Sequence, residues 1–192
     1  MEIKKTKIKG VFEIFGKPFE DERGFFLRLY DHPLLKRLWK KRKISQVNQS
    51  ISVKKGTIRG IHFQHFPDTE AKIVRCLNGS VFDLAIDLRP NSPTFLKYHG
   101  TVLSRKKANA LFIPEGCGQA YQALENNVHV IYFHSGNYVP KNEGAVKWSD
   151  QLAKVKWPTK PTVISYRDKN IEDLYNIKDA KKKFKKFEKY YK

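Results

Sequence analysis

The sequence predicts a mainly β protein: an antiparallel sandwich or barrel of the jelly-roll kind, finished by a C-terminal helix. Three observations carry that reading. From about residue 45 to 139, apolar and polar side chains alternate in short runs, as half-buried strands require. Turn residues separate those runs at close spacing, which suits many short antiparallel strands. Beyond about residue 170 the apolar period lengthens from two to alternating steps of three and four.

Residues 1–30 hold short apolar runs broken by Gly10, Gly16 and Gly24, and read as strands and turns. Residues 33–42 read as a short helix, with Pro33 near its start and Leu34, Leu35, Leu38 and Trp39 on its apolar face. QVNQSISV (46–53) alternates, and GTIRGIHFQ (56–64) follows two lysines. KIVRCLNGSVFDLAIDLR (72–89) reads as a hairpin, because Asn78 and Gly79 both tolerate positive φ. FLKYHGTVLS (95–104), NALFIP (109–114) and VHVIYFHSG (128–136) are further strands. IPEGCGQAY (113–121), with Pro114, Gly116 and Gly118, reads as a rigid turn that lines a cavity mouth. Ile177, Ala180, Phe184, Phe187 and Tyr191 share one face of a helix over about 171–191, with lysines opposite. The chain therefore divides into a domain over 1–170 and a basic amphipathic helix over 171–192, packed on that domain or on a partner subunit.

At 192 residues, 40% hydrophobic and 13% aromatic, the chain can bury one real core and is not disordered. It holds no apolar run of 18 residues, so no membrane-spanning helix is expected. The N-terminus lacks the apolar core of a secretory signal. Cys76 and Cys117 lie far apart in apolar surroundings and read as buried, reduced thiols of a cytoplasmic protein. The net charge of +19, from 38 basic and 19 acidic residues, favours an anionic partner: nucleic acid, a membrane surface or a phosphorylated small molecule. Much of that charge lies in 36–43 and 181–192, which also suit a solvated, lysine-rich surface.

Chemistry concentrates first in RGIHFQHF (59–66). In a regular strand His62 and Gln64 share one face, and Arg59, Ile61 and Phe63 share the other. A metal site needs several converging ligands, and Gln64 is a poor one, so no metal is expected. A satisfied structural histidine and a general base both remain open, since histidine titrates near neutrality. Arg23, Arg59 and Lys72 lie in strand-like apolar segments. Together they would suit a phosphate or diphosphate, or else salt bridges to Asp21, Glu22, Asp83 or Asp87. Tyr132 and Tyr138 flank a turn, and a tyrosine held in a dry pocket can donate a proton. No phosphate loop, dinucleotide fingerprint, HExxH, CxxC or nucleophile elbow is present.

The ordered set DERGFF, QVNQSIS, GTIRGIHFQ, AKIVRCLNGSVFDLAIDLRPNSPTF, IPEGCGQAY, IYFHSGNYVP, Glu143 with VKWSD, KVKWP and ISYRD closely resembles the dTDP-4-dehydrorhamnose 3,5-epimerase family, from about residue 7 to 168. The resemblance implies a double-stranded β-helix of the metal-free cupin type, working as a homodimer on a nucleoside-diphosphate 4-keto-6-deoxyhexose. It implies inversion at C3, C5 or both by proton removal and return on the opposite face. The 4-ketone acidifies both neighbouring C–H bonds, so no cofactor is implied. It places deoxysugar biosynthesis, in a bacterial surface-polysaccharide or glycoconjugate pathway, as the setting. Nucleic acid is not an expected partner despite the charge, nor is membrane insertion.

By the same resemblance His62 matches the base, Asp168 the carboxylate that orients it, Tyr132 the acid on the opposite face, and Lys72 the cation at the ketone oxygen. Arg23, Gln46, Asn48, Arg59, Glu143 and Arg167 match the substrate-binding region, and Tyr138 an aromatic residue near the sugar. Two positions depart from the family pattern. Arg28 stands where a glutamate is usual, and Gln119 where a histidine is usual. Both belong to the ligand-binding region, so altered recognition is expected: another nucleotide, or one carbon rather than two. A C3- or C5-monoepimerase, a ketoisomerase on another sugar nucleotide, and a non-catalytic sugar-nucleotide-binding cupin are the alternatives.

Overall fold

In a computed structural model, which describes residues 1–40 and 42–191, the alternating segments become thirteen strands among the described residues. In chain order they are β1 (Glu2–Lys5), β2 (Phe12–Phe15), β3 (Phe19–Asp21), β4 (Gly24–Phe26), helix α1 (His32–Trp39), β5 (Gln46–Ser52), β6 (Ile58–Gln64), β7 (Lys72–Asn78), β8 (Ser80–Asp87), β9 (Tyr98–Ser104), β10 (Asn109–Ile113), β11 (Cys117–Ala123), β12 (Val128–His134) and β13 (Glu143–Ala145), followed by helices α2 (Tyr166–Lys169) and α3 (Ile177–Lys183). One sheet runs β1-β2-β10-β7-β12-β5, the other β13-β6-β11-β8-β9, and β3-β4 is a separate hairpin. Every pairing is antiparallel. The two sheets enclose a core that includes Val74, Ala85, Leu111, Tyr121 and Val130. This is the expected mainly β jelly roll.

The outer face of the six-stranded sheet is covered by α1, whose Leu35 and Trp39 pack with Ile14, Ile73 and Phe112. Asp31 caps that helix by accepting from the Leu34 backbone N–H. It stops at Trp39, short of the expected residue 42, because Lys40 turns to φ +56°. Leu34 is exposed rather than part of the apolar face.

The Asn78-Gly79 turn does not close a hairpin. β7 pairs with β10 and β12, while β8 pairs with β11 and β9 in the opposite sheet. Gly79 at φ +73° therefore forms a corner between the sheets. The IPEGCGQAY turn is likewise shorter than expected: Cys117 onward is a fully buried strand.

The C-terminal segment covers the five-stranded sheet. Leu174, Ala180, Phe184 and Phe187 pack with Ile61, Phe63, Leu84 and Ile86. The expected single helix over 171–191 is instead α3 followed by a tighter 3₁₀ turn over Lys185–Tyr190. Phe184, Phe187 and Tyr190 are three apart, and three residues per turn keeps them in line, Phe184 and Phe187 against Phe63 and Tyr190 against Phe187. Ile177 is exposed and not part of that face. Lys41 and Lys192, each within an expected basic stretch, lie outside the described residues.

Candidate functional site

One end of the barrel holds a cavity of about 500 Å³ between the two sheets, lined by Asn48, Ser50, Arg59, His62, Lys72, Gln119, Tyr132, His134 and Asp168 among others. Cross-strand register explains the grouping. Lys72, His134 and Gln46 lie in one row across β7, β12 and β5, and Val74, Tyr132 and Asn48 in the next. From the opposite sheet, Gln119 stands beside His62, and Tyr121 beside Arg59.

That second pairing corrects the expected strand geometry. Regular alternation would put Arg59 and His62 on opposite faces. Instead, Arg59 pairs with Tyr121 and His62 with Gln119, so two residues of β6 oppose one of β11. This β-bulge brings both side chains to one wall. It depends on Gly60, at φ +116°, where an added Cβ would sit 2.6 Å from the Ala120 Cβ. Ile61 and Phe63 turn to the outer core, and Gln64 is spent on backbone bonds to Asp68, Asn137 and Val139.

His62 Nε2 lies 2.7 Å from Asp168 Oδ1. Asp168 reaches it from α2, whose Ser165 cap accepts from the Asp168 N–H, and its second oxygen receives the Gly60 N–H at 3.4 Å. Burial pushes the Asp168 carboxyl up, but the hydrogen bond and charge of His62, with the Gly60 and Ser165 contacts, outweigh it and hold it below the usual range. The pair is a histidine whose ring is fixed by a buried carboxylate.

Tyr132 faces the same cavity from the other sheet, its hydroxyl 3.1 Å from Ser50 Oγ. Burial pushes this phenol well above its ordinary value, as a negative charge on Tyr121 would too, against the pull of Ser50. It therefore keeps its proton at neutral pH. Lys72 Nζ lies 3.1 Å from Glu70, and the second oxygen of Glu70 lies 2.9 Å from His134 Nδ1. Burial alone would raise the Glu70 carboxyl, but His134 and Lys72 hold it down as a carboxylate. Gln119 donates to Asp83 at 2.5 Å. Asp83 is fully buried, its other oxygen has no protein partner among the described residues, and burial raises its carboxyl far above the usual range.

Glu143, on β13 next to β6, accepts from Tyr138 at 2.8 Å and pairs with Arg167 at 2.7 Å, one residue before Asp168. Gln46 donates to the Gly136 carbonyl. Arg23 and Arg28 are not brought to the cavity. Arg23 sits exposed on the β3–β4 turn and binds Asp21 at 2.5 Å. Arg28 pairs with Asp31 at 2.7 Å beside a different, smaller cavity. Ser50, Ser52, Glu70, Tyr121 and His134 belong to this region without having been singled out in the sequence. A second cavity of about 550 Å³, between the β1–β2 edge and α1, is lined by Lys5, Lys9, Arg37, Lys40 and Arg89, with no histidine–carboxylate pair among the described residues.

Residues 5–176 match the family model described as dTDP-4-dehydrorhamnose 3,5-epimerase. A relative of that name from Shigella flexneri is 36% identical over 171 residues, covering 88% of this chain and 94% of its own. A dTDP-4-dehydrorhamnose 3-epimerase from Streptomyces niveus is 35% identical over 181 residues, covering 94% of this chain and 87% of its own. A dTDP-6-deoxy-D-glucose-3,5-epimerase from Legionella pneumophila, solved with dTDP-4-keto-L-rhamnose, superposes with a TM-score of 0.86 at 30% identity, covering 93% of this chain and 96% of that one.

Proposed function

This chain belongs to the dTDP-4-dehydrorhamnose 3,5-epimerase family, and on that premise we propose that it epimerises a dTDP-linked 4-keto-6-deoxyhexose at the carbons flanking the ketone. The observation that carries the reading is the placing of a carboxylate-held histidine and a protonated tyrosine on opposite walls of one cavity. Epimerisation needs a base on one face of a carbon and an acid on the other, and a binding site needs neither.

His62 takes the proton next to the ketone, and Asp168 stabilises the imidazolium that forms. The electron pair moves onto the ketone oxygen, where the Lys72 ammonium offsets the developing charge. Tyr132 returns a proton from the opposite side. Arg59 and Asn48, from opposite sheets, line the part of the cavity that meets the sugar nucleotide, with the Tyr138–Glu143–Arg167 cluster beside it. Gln119 takes part as a neutral hydrogen-bonding group.

A homodimer accounts for Arg23 and Arg28. Edge strand β5 exposes Val47 and Ile51 beside the cavity, and the β3–β4 hairpin exposes Phe19 and Phe26. Apolar surfaces of this kind suit a second copy, whose hairpin would bring the two arginines to this cavity. Mixing Arg23→Ala with His62→Ala protein should then regenerate one intact site per mixed dimer. No gain over the separate variants would remove that assignment. Two buried free thiols and a sugar-nucleotide substrate support a cytoplasmic setting. No helix is long and apolar enough to cross a membrane among the described residues.

The test is exchange. In deuterated water with dTDP-4-keto-6-deoxyglucose, loss of both the C3 and C5 proton signals supports a double epimerase. Loss of one marks a monoepimerase, as the name of the S. niveus relative describes for that protein. Loss of neither, with CDP- and GDP-linked sugars also inert, removes the catalytic reading.

A further inference from the structure

We propose that Arg59, Ser52, Tyr121 and Ser50 form a one-way chain of hydrogen bonds that frees the Tyr132 proton for the substrate and then holds the phenolate left behind. Tyr121, Ser50 and Ser52 are thereby positioning residues. The inference rests on Tyr132 being the acid.

The contacts are consecutive. Arg59 Nε donates to Ser52 Oγ at 3.3 Å. Ser52 Oγ lies 2.8 Å from Tyr121 Oη, Tyr121 Oη 3.0 Å from Ser50 Oγ, and Ser50 Oγ 3.1 Å from Tyr132 Oη. Each hydroxyl carries one hydrogen, and a guanidinium can only donate. The first link therefore sets the direction of the rest.

Ser52 is 2% exposed, and among the described residues its hydroxyl touches only Arg59 and Tyr121. If Tyr121 donated to Ser52, the Ser52 hydrogen would be buried with no acceptor, which folded proteins avoid. Ser52 therefore donates to Tyr121. Tyr121 is 1% exposed and its only other hydroxyl neighbour among the described residues is Ser50, so it donates there. Ser50 lines the cavity and is the one member with a choice. When Tyr132 turns its hydrogen to the substrate, Ser50 has a hydrogen to give in return.

The enolate carbon supplies the electron pair for the new C–H bond, and the proton comes from Tyr132 Oη. The former O–H pair stays on that oxygen as a phenolate. Four successive donors then point at it, ending in a guanidinium charge, and each polarises the next. Without the chain a buried phenolate faces only the cavity.

A fluorinated tyrosine placed at 132, whose more acidic phenol titrates within the folded range, reports on the chain by ¹⁹F NMR. Tyr121→Phe should raise its midpoint by about one pH unit, equivalent to tenfold, and lower the exchange kcat about tenfold while KM stays within twofold. Ser50→Ala should do at least as much, and serves if Tyr121→Phe fails to fold. A phenol midpoint unmoved in a folded variant of either kind overturns the chain, whatever the activity. If the unmodified protein exchanges no substrate proton, the epimerase reading fails, and the phenol midpoints still decide the chain.

Discussion

Replacing Asp168 by asparagine keeps a hydrogen-bond acceptor beside His62 and removes its charge. The contact is 2.7 Å long, and the Asp168 side chain is only 4% exposed while His62 is 30% exposed. A hydrogen bond to a charged group contributes ~1.5–3 kcal/mol net, against ~0.5–1.5 for a neutral pair. Full charges about 4 Å apart at an effective dielectric of about 20 interact by ~4 kcal/mol. Partial exposure of the imidazole screens that figure below its full value, into the range of the charged hydrogen bond, leaving ~1.5–3 kcal/mol for stabilising the imidazolium. The expected loss is therefore roughly 10- to 150-fold in kcat, with KM changed little, because ring and cavity keep their shape. The assay is deuterium uptake at C3 and C5 under saturating substrate, with the thermal midpoint as a control for folding. The sign with pH is also fixed. The Asp168 carboxyl is held low in the folded protein, so its contribution is complete above the ordinary carboxylate range and disappears as pH falls through the lowered value. A kcat within twofold of the parent, or a loss confined to KM, would refute the base-orienting role.

Three further outcomes follow from the same geometry. Lys72→Met should lower kcat by ~10²–10³-fold, the usual effect of losing a donor to a developing oxyanion, and steady-state kinetics with unchanged folding would check it. Gly60→Ala combines an unfavourable φ of +116° with a 2.6 Å approach to Ala120, so urea unfolding should show a loss of ~2–6 kcal/mol from strain plus overpacking. Asp83→Asn should raise the thermal midpoint at pH 7–8 and not at pH 4. Burial raises the Asp83 carboxyl, so folding binds a proton there and becomes less favourable as pH rises above the unfolded value. Asparagine removes that dependence, and each ~1 kcal/mol gained should appear as about 2–4 °C.

The barrel was legible because alternation marks strands, but alternation does not say which strand lies beside which. A period of two is the same whether residues 72–78 and 80–87 pair with each other or turn into opposite sheets, so from sequence the Asn78-Gly79 corner is indistinguishable from a hairpin. The Arg59–His62 wall was hidden for a related reason. A bulge inserts one residue and reverses the alternation, and its only trace is a lone glycine inside an apolar strand. The hydroxyl chain has a stronger trace in the sequence. On β5 the inward residues are Gln46, Asn48, Ser50 and Ser52, while Val47 and Ile51 face outward. An all-polar inner face in an apolar barrel marks a lined cavity. Glu70 lies outside any strand and His134 at a strand end, so neither pattern nor spacing linked them to Lys72. The C-terminal break between α3 and the 3₁₀ turn has no glycine or proline to announce it, since packing of aromatics three apart sets it.

His62 and Asp168 are 106 positions apart in the chain. The segment that brings Asp168 in is strapped to the barrel by Ile58 to Val163, Thr162 to Gly56 and Gln122 to Thr159. The barrel strands all precede that strap. The carboxylate that holds the His62 ring thus comes from a segment that follows every barrel strand, so the ring and its anchor are set by different parts of the chain.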